Sequence, residues 1–133
     1  MTQVQTMTNP ELNRALAELM GYTVKSLTIG DNGKQLYALV TPMGRERLPA
    51  STIDKAYLDA PDYCTDPAAS LEVQTAARKI DPEGYALNLA NQIQNSMIRK
   101  ITDPYYGTLV AAMCDASPRE RAEAAYITLS SKQ

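Results

Sequence analysis

In the run DAPDYCTD, residues 59–66, three carboxylates (Asp59, Asp62 and Asp66) stand beside Tyr63 and Cys64. Oxygen ligands of this kind suit a hard cation such as Mg²⁺ or Ca²⁺. The run has neither the Gly nor the regular odd-position acids of an EF-hand-like loop, and each carboxylate has a structural use. Asp66 followed by Pro67 is an N-cap with proline at the first helical position. Asp62 favours the positive end of the same helix dipole, and Asp59 is solvated. The residues therefore read first as the start of a helix. A helix start also attracts anions, because its leading backbone N–H groups have no intrahelical partner. Two such starts exist, at Pro67 and Pro118, and the second carries Arg119 and Arg121. If the 43–48 loop brought Arg45 or Arg47 to either one, a phosphate could be held there. Tyr63, Tyr105 or Tyr106 could then stack on a base or another planar group. Arg45, Arg47, Tyr63, Asp66, Tyr105, Tyr106 and Arg119 are accordingly the candidate ligand-binding residues.

What is missing narrows the chemistry further. The 133 residues include no His, Trp or Phe, but eight Tyr and two Cys. Without His there is no side chain titrating near neutrality and no Ser-His-Asp or Cys-His pair, and the commonest transition-metal ligand is absent. Cys64 lies near a helix start, where thiol pKa values fall, yet has no imidazole base. Enzymes built on Asp, Glu, Lys or Tyr remain open, but no catalytic residue, metal or cofactor is assigned. At least half of the tyrosines are expected to fill the core in place of Phe and Trp. Tyr105 and Tyr106 cannot both point inward from an extended Asp-Pro-Tyr-Tyr-Gly segment, so one of them is expected at the surface.

A net charge of −2 leaves no basic excess for nucleic acid, and the basic residues come as isolated pairs. With 44% apolar and 21% charged residues the composition is that of a soluble globular chain, and its length suits one domain, residues 1–133. No run approaches the roughly 18–20 apolar residues of a membrane span. The first residues have no secretory pattern, so the expected location is cytoplasmic. Cys64 and Cys114 are expected to be free and buried.

These side chains must be positioned by a short series of elements. Thr8 with Glu11 has capping-box spacing, Pro10 lies in the first turn, and Leu12, Ala15, Leu16, Leu19 and Met20 share one face, which predicts a helix over residues 9–20 after a flexible segment 1–8. Residues 22–42 flank Gly-Asp-Asn-Gly with two β-prone runs, which predicts a hairpin. Residues 43–61 read as a long connection with a short helical turn around Ile53–Leu58. A second helix starts at Asp66–Pro67, and its face of small residues is expected to lie flat on a sheet. After a turn at residues 81–84, Tyr85, Leu87 and Leu89 alternate against Ala86, Asn88 and Ala90, a strand pattern. The apolar run 108–116 is expected to be a buried strand containing Cys114. Ser117, Pro118 and Glu120 open a last helix ending near Ser130. The predicted order is α-β-β-α-β-β-α, an α+β fold in which helices cover both faces of a four-stranded, mainly antiparallel sheet: a three-layer helix–sheet–helix sandwich.

Four pieces, NPELNRALAELMGY, PDYCTDPAASLEV, DPEGYALNLANQI and ASPRERAEAAYITL, in that order and spanning Asn9 to Leu129, resemble the phage ABA sandwich domain family. Residues 43–60 and 93–107 carry little of the likeness. The resemblance implies a helix–sheet–helix sandwich encoded by a phage or prophage and acting in an infected bacterial host. It brings no catalytic site. The leading functional expectation is a phage accessory protein that, without catalysis, sequesters a small phosphorylated host molecule such as a nucleotide immune signal, as a homo-oligomer with pockets at subunit junctions. Such a role would be anti-defence. The alternatives are a module that engages a host or phage protein, marked by an uncovered sheet edge, and an enzyme using carboxylates and a metal, marked by three carboxylates converging in one cleft.

Overall fold

A computed structural model of the chain describes residues 4–29, 33–96 and 111–132. A 3-10 turn, Val4–Thr6, leads into α1, Asn9–Leu19. Thr8 caps α1 reciprocally with Glu11: the Glu11 N–H donates to Thr8 Oγ1, and the Thr8 N–H to Glu11 Oε1, each at 3.3 Å. The hairpin follows as β1, Thr23–Ile29, and β2, Lys34–Val40, antiparallel from Thr23↔Val40 to Ile29↔Lys34. The expected long connection is partly regular. A turn over Thr41–Arg45 folds the chain back along β2, where Arg47 and Ala50 bond to Leu39 and Tyr37. Thr52 then caps the short helix α2, Ile53–Tyr57.

The expected four-stranded sandwich does not form. Among the described residues the sheet has two strands only, and the rest of the α+β fold is helical: α3, Pro67–Ile80; α4, Pro82–Ser96; and α5, Pro118–Ser130. The strand expected over residues 85–93 lies inside α4. Period 2 and period 3.6 share the i,i+4 spacing, so Tyr85, Leu89 and Ile93 satisfy both. All three are buried, whereas Leu87, which only a strand would place beside them, is 67% exposed. The start of α4 repeats the Asp-Pro cap of α3, with Asp81 Oδ1 accepting from the Gly84 N–H at 3.0 Å. Gly84 also leaves room for that carboxylate, which a Cβ would strike. The strand expected over 108–116 is likewise helical where described, at residues 111–114, and Cys114, expected in the core, is exposed. Both cysteines are free.

The small-residue face of α3 packs on helices, not on a sheet. Ala69, Ser70, Val73 and Ala77 face α5, which offers Ala122, Ala124 and Ala125, and α4 closes the same core. Side chains this short let helix axes approach closely. Leu12, Leu16 and Ala17 add α1 to that core, and Tyr63 and Cys64 fill it from the loop before α3. The hairpin stands to one side, with Ala38 and Leu39 of β2 and Ala56 of α2 buried where the two meet. No described helix is long and apolar enough to cross a membrane.

Candidate functional site

The residues around Asp66 hold the chain together locally. Asp66 Oδ1 accepts from the Ala68 N–H at 3.1 Å and caps α3. Asp62 accepts from the Thr65 hydroxyl and N–H and from Asn13 Nδ2 at 2.9 Å, and Asn13 Oδ1 accepts from the Cys64 N–H at 3.1 Å. Asn13 thereby ties the entry to α3 onto α1. The Thr65 hydroxyl holds the Asp62 carboxyl below its usual range; partial burial opposes it, and Asn13 and the Thr65 and Cys64 N–H groups reinforce it. A depressed carboxylate contributes stability above its unfolded pKa of about 3.9, and that stability is lost as pH falls through the folded value. Asp62→Asn is therefore expected to lower the denaturation midpoint at neutral pH, by about 1 kcal/mol or less for so exposed a group. Titrating both proteins in urea should show the difference vanishing in acid.

Tyr63 and Cys64 point inward. Tyr63 is 1% exposed, and burial pushes its phenol well up. Cys64 is also buried; burial raises its thiol to about 11, with the nearby Arg119 guanidinium opposing. A thiol so protonated is a poor nucleophile at neutral pH. Among the described residues no three carboxylates or thiols come close enough together to hold a metal ion.

The predicted arginines separate. Arg45 and Arg47 are exposed on the stretch that follows β2, and among the described residues no hydrogen bond or ion pair links them to the starts of α3 or α5. Arg119, on the wall of a 480 Å³ depression, uses all its donors inside the protein. Nη1 reaches Asn9 Oδ1 at 2.7 Å and Cys64 Sγ at 3.8 Å, Nη2 reaches the Val4 and Met7 carbonyls at 3.0 and 2.7 Å, and Nε pairs with Glu123 at 3.3 Å. Tyr105 and Tyr106 lie outside the described residues.

Two cations that have no ion pair among the described residues converge elsewhere. A cleft of about 350 Å³ opens where α3, α4 and α5 meet. Arg78 of α3 and Arg121 of α5 both line it, and among the described residues no acidic side chain does. Arg121 is held in place by its Nε on Ser70 Oγ at 2.9 Å and its Nη1 on the Ala116 carbonyl. Neither arginine has an ion pair among the described residues. The Tyr85 hydroxyl donates to Gln74 Oε1 at 2.8 Å. Burial pushes the Tyr85 phenol well up despite both guanidiniums, so it stays protonated at neutral pH. Leu71, Pro82 and Met113 give the cleft apolar walls, and Cys114 sits among them.

The sequence marks Arg121 as part of the anion-attracting helix start at Pro118 and Arg78 only as one of a basic pair with Lys79. They meet because Leu71, Gln74 and Arg78 share a face of α3 and Pro82, Tyr85 and Ala86 occupy the first turn and a half of a helix beside it. A strand over residues 85–93 would not have placed them together. No family model matches the sequence, and neither a curated protein nor a solved structure matches it.

Proposed function

We propose that the chain binds a small phosphorylated molecule without transforming it, and that the ligand sits in the α3–α4–α5 cleft. The observation that supports this reading is the convergence of two arginines, Arg78 and Arg121, on one cleft where, among the described residues, neither has a counter-ion and no carboxylate lines the wall. An anion placed there gains charge-assisted hydrogen bonds and meets no like charge on the walls. Arg121 is already anchored through Ser70 and Ala116, so little ordering remains when a ligand arrives. Leu71, Pro82 and Met113 would cover the body of the ligand, an arrangement of few polar groups on apolar walls that is common in small-molecule sites. Binding is favoured over turnover because the chain has no His and Tyr85, held protonated, is no base at neutral pH. Sequestration of a phosphorylated host molecule in an infected cell is the biological role that the resemblance to the phage family suggests for this site.

The test is native mass spectrometry of the purified protein with inorganic phosphate, mononucleotides, and cyclic and ADP-ribose-derived nucleotides, which reads ligand, its chemical integrity and oligomer mass together. The expected result is a stoichiometric adduct released unchanged. Arg78→Ala, a surface change, should weaken it about tenfold or more, since a hydrogen bond to a charged group contributes about 1.5–3 kcal/mol. No adduct across the panel, or equal binding by Arg78→Glu, overturns the assignment.

A further inference from the structure

A larger cavity, about 560 Å³, lies between the first turns of α1 and the short helix α2. Its apolar surface comes from Pro10, Tyr57, Leu58 and Ala60, and the carboxylates of Glu11, Asp54 and Asp62 line it. The two cations present are already engaged. Arg14 pairs with Glu18 at 3.2 Å and with Asp54, and lies 4.8 Å over the Tyr57 ring. Lys55 Nζ donates to Ser51 Oγ at 3.3 Å. The carboxylates are therefore in excess, opposite in character to the Arg78–Arg121 cleft. The apolar surface does not stop at the cavity: Leu58 is 72% exposed and Ile53, one turn before Tyr57 on α2, is 40% exposed.

We infer that this cavity docks a segment of a partner protein that presents one large apolar side chain next to a lysine or arginine. The apolar side chain would fill the space against Tyr57, Leu58 and Ala60, and the basic neighbour would lie against Asp62 and Glu11. Charge complementarity selects the basic flank, and burying an anchor in a preformed pocket supplies most of the affinity in such contacts. A free small amine would leave Leu58 and Ile53 uncovered, whereas a chain running out of the cavity along α2 covers both. This inference is independent of the anion site, because it uses none of the same residues.

The probe is a library of short random peptides, selected against the whole protein and then measured by fluorescence anisotropy. The expected consensus is a Leu, Ile, Met or aromatic residue beside Lys or Arg, with binding that weakens as salt is raised. Leu58→Asp, an exposed position, should reduce binding of the selected peptides more than tenfold while its thermal melt matches wild type. Binding of phosphate-bearing ligands should be unaffected, which separates the two sites. Acidic or patternless consensus peptides, or equal binding by Leu58→Asp, overturn the inference. A dimer of the chain that Leu58→Asp dissociates, seen by sedimentation, also overturns it, since the occupant would then be a second copy.

Discussion

Arg119→Ala is expected to destabilise the fold more than any other single change of a charged residue described above. The guanidinium joins three parts of the chain: the carbonyls of Val4 and Met7 before α1, Asn9 at its start, and Glu123 one turn along α5. The Glu123 side chain is only 9% exposed, so truncating Arg119 leaves a mostly buried carboxylate without its partner on the wall of the 480 Å³ depression. Breaking a buried pair from one side costs about 3–5 kcal/mol, which for a chain of this size lowers the melting temperature by roughly 10–15 °C. Burial raises the Glu123 carboxyl, with Arg119 opposing. Removing Arg119 must raise it further. A group whose folded pKa is raised contributes its stability below the unfolded pKa and loses it as pH rises through the folded value. The cost of Arg119→Ala should accordingly shrink in acid and grow toward neutrality. Arg119→Met with Glu123→Leu should recover the share that comes from the unpaired Glu123, while the Val4 and Met7 carbonyls and Asn9 still lack their donor. Urea titrations of the three proteins at neutral and acid pH check all of this; a single variant that melts like wild type would remove the clamp from the account.

The second large effect is expected at Tyr63. It is the largest of the fully buried side chains and belongs to the cluster that includes Leu12, Leu16 and Val73. Truncation to alanine deletes an aromatic ring where α1 and α3 meet the loop between them, and such changes cost about 3–5 kcal/mol through lost burial and the cavity left behind. Tyr63→Phe keeps the ring and should cost about 1 kcal/mol or less. Circular dichroism melts of the pair give the comparison directly. Near-equal loss in both variants would mean that the hydroxyl, and not the ring, holds the site.

These two residues also show how far local sequence reaches. Both were legible as notable positions, Tyr63 beside a helix start and Arg119 just inside another, and both suggested a ligand. What each side chain touches depends on residues far away in the chain. Arg119 turns back to Val4, Met7 and Asn9, more than a hundred positions distant. Tyr63 turns inward because Asn13 binds the Cys64 N–H and Asp62 and so fixes the loop on α1. No spacing rule carries that information.

The sequence by itself determined the parts whose hydrogen bonds are local. Thr8 with Glu11 and Ser117 with Glu120 close capping boxes, Asp66 caps α3, and the two β-prone runs pair as the antiparallel strands β1 and β2. Each of these is decided within a few residues, by groups that would otherwise lack a partner. The segment 82–93 was open to two readings because Tyr85 and Leu89 satisfy either period. A second Asp-Pro cap, at Asp81, and the absence of β-branched residues from 82 to 92 were the local signals for a helix. Tertiary structure alone decided that the small faces of α3 and α5 would meet each other instead of a sheet, since an alanine face fits either surface equally well. From that choice follows the meeting of Arg78 with Arg121 in one cleft, because long-range packing, not side-chain type, determines which charges share a cleft.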